Sequence, residues 1–271
     1  MRFIPTAITD YSEKREMIEM GKIIKTLLIG ESWMVHTVET KGADQFSIDY
    51  YGEGTEYIKS VLSEEGFEFY HMPCHRVSCD FPKSVSELKK YDVIIISDIG
   101  SNTFLLPVET FLQSKKTPNK LQMLKEFVLD GGGLCMAGGY LSFMGIEGKG
   151  KYNGSVLEEI LPVNFQNCDD RQEHPEGLEV KIDPKKHPIF QGLPDTLRGF
   201  LGYNRAAVKE GCSVLAQIAG DPFLVTGEFG KGRSIAYATD VAPHWSSPEF
   251  CESREYKILW QNMVKWLAKE L

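Results

Sequence analysis

The sequence has few cysteines, no long apolar run and no excess of positive charge. Its six cysteines are spread over 271 residues without regular spacing, which argues against a disulfide framework and favours reduced thiols in the cytoplasm. No segment approaches the roughly 20 apolar residues that cross a bilayer, and charged residues interrupt positions 1–20, so we expect neither a membrane partner nor a signal peptide. The net charge of −8 argues against a nucleic-acid partner.

Signatures of nucleotide and metal binding are also missing. There is no Walker A sequence, and no G-x-G-x-x-G follows the first predicted strand, so the motifs do not favour a nucleotide cofactor. The segment "HMPCHRVSC" (71–79) contains His71, Cys74, His75 and Cys79. Their spacing fits no standard structural zinc pattern. We therefore predict no cofactor and no metal site, and interpret this segment as a loop at the rim of a cleft.

Strand-like and helix-like segments alternate through the first half of the chain. "KTLLIG" (25–30), "FEFYHM" (67–72) and "YDVIIISDIG" (91–100) predict strands, and the four β-branched residues of the last are typical of a central strand covered on both faces. Thr55 and Asn119 are suitable N-caps for the intervening and following helices. This order predicts a parallel sheet with right-handed crossovers.

The second half contains further strand-like segments at 178–182, 213–218, 222–229 and 233–240. The last two flank a short glycine-rich turn and predict an antiparallel hairpin. A final helix is expected from Ser253, with Tyr256, Leu259, Met263 and Trp266 on one apolar face. Because no linker or repeat interrupts the chain, we predict an N-terminal extension over 1–22 and a single domain over 23–271.

Ligands of open parallel sheets bind beyond the carboxyl ends of the strands. That rule selects the segments after four predicted strands, and their polar and aromatic residues are candidates for a binding site. The segment after the first strand, which contains Trp33, is interpreted as a long polar loop that is either solvated or covers a substrate. Further candidates are Gly100, Ser101, Asn102, Gly139, Tyr140, His244 and Trp245.

The segments "GESW", "KGADQF", "MPCH", "YDVIIISDIGSNT", "GGGLCMAGGYLSF" and "TDVAPHW" occur in this order. Together they resemble the glutamine amidotransferase-like proteins of bacteria, relatives of the class I glutamine amidotransferases, from about residue 25 to the C-terminus. The resemblance implies a flavodoxin-like, three-layer α/β sandwich with a mostly parallel central sheet and an antiparallel addition in the C-terminal half. Fold kinship implies an activity less directly than it implies a fold.

The stretch "DGGGLCMAGGYLSFMG" (130–145) can be aligned with the family's nucleophile turn, G-x-C-x-G, in two ways. In the first, Cys135 lies at the strand-to-helix turn and is the nucleophile. In the second, Cys135 is a small apolar residue within the strand and the turn falls at Gly138, Gly139 and Tyr140. Paired glycines suit a sharp turn, so the second alignment is favoured, although the first stays open.

The resemblance also assigns a base. His244 follows a predicted strand, where these enzymes keep their histidine, but "PHWSSPE" replaces the compact H-x-E, and Glu249 is the nearest downstream carboxylate. We expect a protein that lacks the standard nucleophile and binds a small anionic metabolite, a carboxylate or carboxamide, in a nest of Gly100, Ser101, Asn102, Gly139 and Tyr140 amides. The alternatives are an amidase using Cys135, His244 and Glu249, and a homo-oligomeric or sensing module.

Overall fold

The computed structural model describes residues 22–271, so the predicted extension over 1–22 lies outside the described residues except for Lys22. The described chain alternates strands and helices in its first half and is mostly β-structure in its second. The strands are β1 (Ile24–Gly30), β2 (Ser32–Lys41), β3 (Asp44–Glu53), β4 (Phe67–Met72), β5 (Val93–Ser97), β6 (Gly133–Ala137), β7 (Val163–Phe165), β8 (Arg171–Lys181), β9 (Thr196–Asn204), β10 (Ala206–Val208), β11 (Ser213–Ile218), β12 (Asp221–Phe229) and β13 (Gly232–Tyr237). The α-helices are α1 (Glu56–Val61), α2 (Val77–Asp80), α3 (Val85–Leu88), α4 (Ser101–Leu105), α5 (Val108–Gln113), α6 (Lys120–Leu129), α7 (Pro248–Cys251) and α8 (Arg254–Leu267).

A nine-stranded mixed sheet organises the described chain, with the strand order β4-β1-β5-β6-β13-β12-β11-β8-β9. The first five strands in this order pair in parallel, and the pairs from β13 to β9 are antiparallel. The predicted α/β class is therefore confirmed, with a parallel part and an antiparallel addition from the second half. The finer, flavodoxin-like layering stays a prediction.

Strand β5 shows why the parallel part is so apolar. Val93 and Ile95 belong to one buried cluster, whereas Ile94 and Ile96 belong to the other. Successive side chains of a strand point to opposite faces, so β5 is covered on both sides, as its sequence predicts. Burying a large aliphatic side chain stabilises the folded chain by about 1.5–3 kcal/mol, and β5 buries four such side chains.

One predicted helix cap and one predicted helix start are confirmed by hydrogen bonds. The Asn119 side chain accepts from the Gln122 amide at the start of α6, and Ser253 accepts from the Tyr256 amide at the start of α8. Each bond satisfies an amide that the first helical turn would otherwise leave without a partner. Thr55 precedes α1 as predicted but makes no side-chain capping bond.

Two segments interpreted as loops have regular structure instead. Residues 32–53 form an antiparallel hairpin of β2 and β3, separate from the main sheet. Its apolar residues alternate with polar ones, the period of a strand, and Gly42 takes a φ of +64° in the two-residue turn, where glycine is favoured. The segment 71–79 comprises the end of β4, a 3-10 turn at Cys74–Arg76 and most of α2.

Candidate ligand-binding site at the strand carboxyl ends

Three carboxyl side chains come together where the parallel strands end. Glu31 follows β1, Asp98 follows β5, and Asp240 lies three residues beyond β13. The side chains of Glu31 and Asp240 are almost completely buried, and Asp98 is partly exposed. This is the edge of a parallel sheet at which ligands bind, so the cluster defines the candidate site.

The backbone brings Glu31 close to β5. Gly30 has a φ of +117°, and a Cβ there would lie 1.7 Å from the carbonyl oxygen of Ser97, so only glycine fits. The Glu31 amide then donates to that same carbonyl at 3.1 Å. Burial first, and then the charges of Asp240 and Asp98, raise the pKa of Glu31 well above its ordinary value. The protonated form of this carboxyl is therefore favoured.

Atom Oε1 of Glu31 has no hydrogen-bond partner among the described residues, and neither has the hydroxyl of Ser97. Both side chains are buried, with 2% and 0% of their surfaces exposed. Buried polar atoms without partners are uncommon because desolvation costs about 1–3 kcal/mol each. The site therefore has unused hydrogen-bonding capacity at its base.

Asp98 connects β5 to the turn after β6. Its Oδ1 accepts a hydrogen bond of 2.7 Å from the Leu141 amide, and its own amide donates to the Ser142 hydroxyl at 3.0 Å. Burial and the charge of Asp240 raise the pKa of Asp98 to about 6, against the opposing effect of the Leu141 hydrogen bond. Two neighbouring carboxyls with raised pKa values are typical of sites that share protons.

The turn after β6 consists of Gly138, Gly139 and Tyr140. A Cβ at Gly138 would lie 2.3 Å from the carbonyl oxygen of Ala238, which explains the need for glycine beside β13. The Gly138 amide donates to the carbonyls of Tyr237 and Thr239. The turn therefore lies where the second alignment of the sequence puts it.

Cys135 lies in the middle of β6, between Ile95 of β5 and Ile235 of β13 in the sheet register. Its side chain is completely buried within an apolar cluster. Burial raises the pKa of the Cys135 thiol, so the nucleophilic thiolate is strongly disfavoured there. The structure does not bring this sulfur into the carboxyl cluster.

His244 is ion-paired with Asp240, not with Glu249. Its Nδ1 lies 3.5 Å from Oδ2 of Asp240, and this interaction raises the pKa of His244. Glu249 belongs instead to the first turn of α7 and lines a separate surface cavity of about 350 Å³ with Arg198 and Ser253. The position of the histidine thus agrees with the sequence analysis, while the carboxylate beside it is a residue that analysis did not select.

Aromatic rings surround His244. Its ring stacks on Trp245 at 5.8 Å and meets the edge of Tyr140 at 4.2 Å between ring centroids. Arg171 lies over the Tyr140 ring at 4.5 Å. Trp245 is 1% exposed and donates from Nε1 to Glu173 at 2.9 Å, so it supports His244 from beneath. Of these rings, only Tyr140 and His244 are open to solvent.

Two amides of the predicted nest are already bonded within the protein. The Ser101 amide donates to the Gly150 carbonyl at 2.9 Å, and the Gly139 amide donates to Oδ1 of Asn204 at 2.9 Å. Asn102 is exposed on α4, and Gly100 only caps that short helix. Trp33 lies on the β2–β3 hairpin and is 44% exposed. An anion-binding nest made of all five amides stays a prediction.

Five polar residues of the site were not selected from the sequence, and three of them carry a readable signal. Glu31 and Asp240 stand just beyond apolar strands, as Asp98 does, so an acid after each strand could have identified the cluster. The other two, Asp170 and Asn204, hold the turn from a distance: Asn204 donates to Oδ1 of Asp170 at 2.8 Å. No local pattern marks that pair.

No group of three or more residues suited to a metal is found within residues 22–271. The histidine and cysteine segment at 71–79 illustrates why. Nε2 of His71 is 2.8 Å from the carbonyl oxygen of Gly30. The Cys74 amide donates to the Ser32 hydroxyl at 2.7 Å. These residues brace the start of the hairpin.

No helix within residues 22–271 is long and apolar enough to cross a membrane.

This fold and this site define an α/β protein with a charged cluster at the carboxyl ends of its parallel strands. A family model described as "Putative glutamine amidotransferase" matches residues 25–269, so the chain belongs to that glutamine amidotransferase-like family. No curated protein matches the chain.

Solved structures agree with that assignment. The cytoplasmic protein STM3548 of Salmonella typhimurium is 45% identical, with a TM-score of 0.86 over 90% of this chain and 99% of its own. The cytoplasmic protein STM1381 of the same species is 43% identical, with the same score and coverage. A ThuA-like protein of Bacteroides uniformis, 14% identical with a TM-score of 0.55 over 97% of this chain and 95% of its own, shares the fold.

Proposed function

We propose that this protein is a glutamine amidotransferase-like binding protein without a cysteine nucleophile, and that it takes a small neutral molecule carrying a carboxamide. The binding site is the cluster of Glu31, Asp98, Asp240 and His244 at the strand ends. The observation that carries the proposal is that Asp98 accepts the hydrogen bond of the Leu141 amide. The Asp98 carboxylate thereby occupies the Leu141 amide. An anionic ligand would need that same amide as a hydrogen-bond donor.

Charge decides between a carboxylate and a carboxamide ligand. A ligand carboxylate would add a negative charge beside Asp98 and Asp240, whose mutual repulsion already raises the pKa of Asp98. A carboxamide is neutral and presents two N–H donors and one oxygen acceptor. Its donors suit the ionised Asp98 and the carboxyl oxygens of Asp240, and its oxygen suits a protonated Glu31. We therefore propose a neutral ligand in place of the anionic metabolite that the sequence led us to expect.

The lack of a nucleophile rests on the environment of Cys135. A cysteine attacks as the thiolate, and this thiol is fully buried with a raised pKa. The turn itself carries Gly138, Gly139 and Tyr140, none of which replaces a thiol. An active amidase using Cys135, His244 and Glu249 is thus the less favoured alternative.

Two further parts of the proposal follow from the relatives and the strand order. The Salmonella relatives are cytoplasmic proteins, and the same location is proposed for this chain. A flavodoxin-like, three-layer arrangement is proposed because both faces of β5 are covered and the parallel strands are neighbours in one sheet.

The test uses matched pairs of small molecules that differ only in carboxamide against carboxylate, such as glutamine with glutamate and nicotinamide with nicotinate. Affinity is measured by calorimetry with the full chain at pH 7.5. For any pair that binds, the carboxamide member is expected to bind about 10-fold more tightly than its carboxylate partner, or better. A 10-fold ratio corresponds to about 1.4 kcal/mol. Asp98→Asn should reduce that preference. Tighter binding of the carboxylate members would overturn the proposed ligand class.

The absence of amidase chemistry is tested separately. The full chain is incubated with glutamine and the release of ammonia is measured, with Cys135→Ala as the matched variant. Neither protein is expected to release ammonia above the background rate. Release by the unchanged chain that disappears in the variant would establish the nucleophile and reject the binding-only proposal.

A further inference from the structure

The β2–β3 hairpin, Ser32 to Glu53, is called the arm here. It forms its own two-stranded sheet, with ten residue pairs from Ser32–Glu53 to Lys41–Asp44, and so spans about 30 Å. At its base the Ser32 hydroxyl accepts from the Cys74 amide at 2.7 Å, and the Gly54 amide donates to the Glu31 carbonyl at 3.0 Å. Isolated two-stranded hairpins are marginally stable in water, so the arm needs a cover.

One face of the arm is apolar. The register sets Val35 opposite Tyr50, Thr37 opposite Ile48, and Glu39 opposite Phe46, and Trp33 lies on the same face near the base. Trp33, Phe46, Ile48 and Tyr50 remain 43–54% exposed. Within residues 22–271, no element covers this face. The opposite face also carries exposed apolar side chains, Met34, Val38 and Tyr51, and it mixes them with polar residues such as His36, Ser47 and Asp49.

A second apolar surface lies on and before α5. Leu106, Val108, Phe111 and Leu112 are 44–71% exposed, and no residue of α5 is buried. A helix of six residues without a buried side chain has little to hold it in place, since most helical stability in proteins comes from tertiary packing. The chain therefore presents two exposed apolar surfaces, one extended and one helical.

We propose that the arm of each chain packs on the α5 surface of a second copy of this chain, in a two-fold symmetric dimer. A two-fold axis makes the contact reciprocal, so that both arms and both α5 surfaces are covered at once. The eight exposed side chains present on the order of 800 Å² per chain, given about 150–250 Å² for a whole large side chain. That area matches what each partner buries in a stable interface.

Charge at the rims of the two surfaces is complementary at Asp44. Glu39, Lys41 and Asp44 lie on the apolar face of the arm near its tip, where Lys41 pairs with Glu39 at 3.2 Å and leaves Asp44 without an ion pair to a described residue. Lys115 and Lys116 follow α5, are exposed and form no ion pair with a described residue. In the reciprocal arrangement, Asp44 of one arm meets the two lysines of the other copy. Such pairs fix orientation more than they add affinity.

The test measures the mass of the full chain in solution by light scattering after size-exclusion chromatography. The unchanged chain is expected at twice the mass of one chain. The arm variant Phe46→Lys with Ile48→Lys, and the α5 variant Phe111→Asp with Leu112→Asp, are both expected at the mass of one chain. Ser47→Lys, on the opposite face of the same strand, is the matched control and should remain a dimer.

Circular dichroism and thermal unfolding show whether each variant is folded, and both should be, because all four positions are exposed. If the unchanged chain is a monomer at tens of micromolar, the proposal is overturned. This result is also expected if residues 1–21 of the same chain cover the arm. Dimers that persist in either double variant would overturn it as well. Loss of the dimer in Ser47→Lys would contradict the assignment of the apolar face.

Discussion

The Leu141 amide donates a 2.7 Å hydrogen bond to Oδ1 of Asp98, which ties the end of β5 to the turn after β6. The bond stabilises the charged form of Asp98, while burial and Asp240 favour the neutral form and raise its pKa to about 6. Because this pKa is still below pH 7.5, the carboxyl of Asp98 is mostly ionised at that pH. A ligand that donates a hydrogen bond to Asp98 would shift this balance toward the ionised form.

The first prediction concerns the pH dependence of stability. The pKa of Asp98 is 3.8 in its ordinary state and about 6 in the folded chain. At a pH between these two values, Asp98 is therefore protonated in the folded chain and ionised in the unfolded chain. The free energy of unfolding should therefore rise as the pH falls through this interval. Glu31, with a raised pKa, acts in the same direction. So does His244, whose contribution is lost as the pH rises above its raised pKa.

Asp98→Asn removes this titration and keeps an oxygen to accept from the Leu141 amide. The free energy of unfolding at pH 7.5 should increase by up to about 3 kcal/mol, or about 2–4 °C in Tm for each kcal/mol. Its rise between pH 7.5 and pH 5 should be smaller than in the unchanged chain. Urea titrations at both pH values measure this, with Asp44→Asn on the exposed arm as the control. An unchanged slope in Asp98→Asn would contradict the assignment.

The second prediction concerns the reactivity of the six cysteines. Cys79 and Cys168 are exposed, whereas Cys135 and Cys251 are buried, and burial raises the pKa of Cys251 to about 12. Iodoacetamide should therefore label Cys79 and Cys168 in the folded chain and leave Cys135 and Cys251 unlabelled. Peptide mass spectrometry after brief labelling measures this, and denatured protein should be labelled at every cysteine. Labelling of folded Cys135 as fast as Cys79 would favour the amidase alternative.

Much of the fold could be predicted because local rules coincide with the final structure. Asn119 and Ser253 begin helices, and the pair Gly138 and Gly139 turns the chain after β6, each for a reason that acts within a few residues. The arm was missed because its polar residues were given more weight than its alternating apolar ones. An exposed hairpin has the composition of a loop, and only the period of two distinguishes it.

The site was predicted less completely because its contacts join distant segments. His244 could be selected from its place after a strand, but its carboxylate is Asp240, brought under the ring by the turn that follows β13. Asn204 meets Asp170 across 34 residues, a separation that no motif reveals. The strand ends could be selected from a general rule, while the side chains that meet there depend on tertiary structure.

The third prediction tests the close approach at the turn after β6. A Cβ at Gly138 would lie 2.3 Å from the carbonyl oxygen of Ala238 and 2.8 Å from Oδ1 of Asn204. Gly138→Ala should therefore reduce the free energy of unfolding by about 3 kcal/mol, because the backbone must shift. Gly100→Ala is the matched control, since its Cβ would come no closer than 3.2 Å to any atom, and should cost less than about 1 kcal/mol. Equal losses in the two variants, measured in urea, would argue against this packing.

The fourth prediction concerns the buried pair of Asn204 and Asp170, which are 0% and 2% exposed. Asp170 accepts from the amides of Met144 and Gly145 and from Nδ2 of Asn204, and burial raises its pKa. Asn204→Asp would replace that donor with a second carboxyl. At pH 7.5 the two charges cannot both be accommodated, so the free energy of unfolding should fall by about 3–5 kcal/mol.

The loss in Asn204→Asp should shrink as the pH falls toward 5, because the folded pair then retains a proton that the unfolded chain releases. Asn204→Ala also removes the bond to Asp170, and in addition the bond from the Gly139 amide. Because it adds no charge, its cost, relative to the unchanged chain, should vary less with pH. Urea titrations of both variants at pH 7.5 and pH 5 separate the two effects. If Asn204→Asp lost the same free energy at both pH values, repulsion with Asp170 could not be its cause, and the loss of the bond that Nδ2 of Asn204 donates to Asp170 would have to account for it.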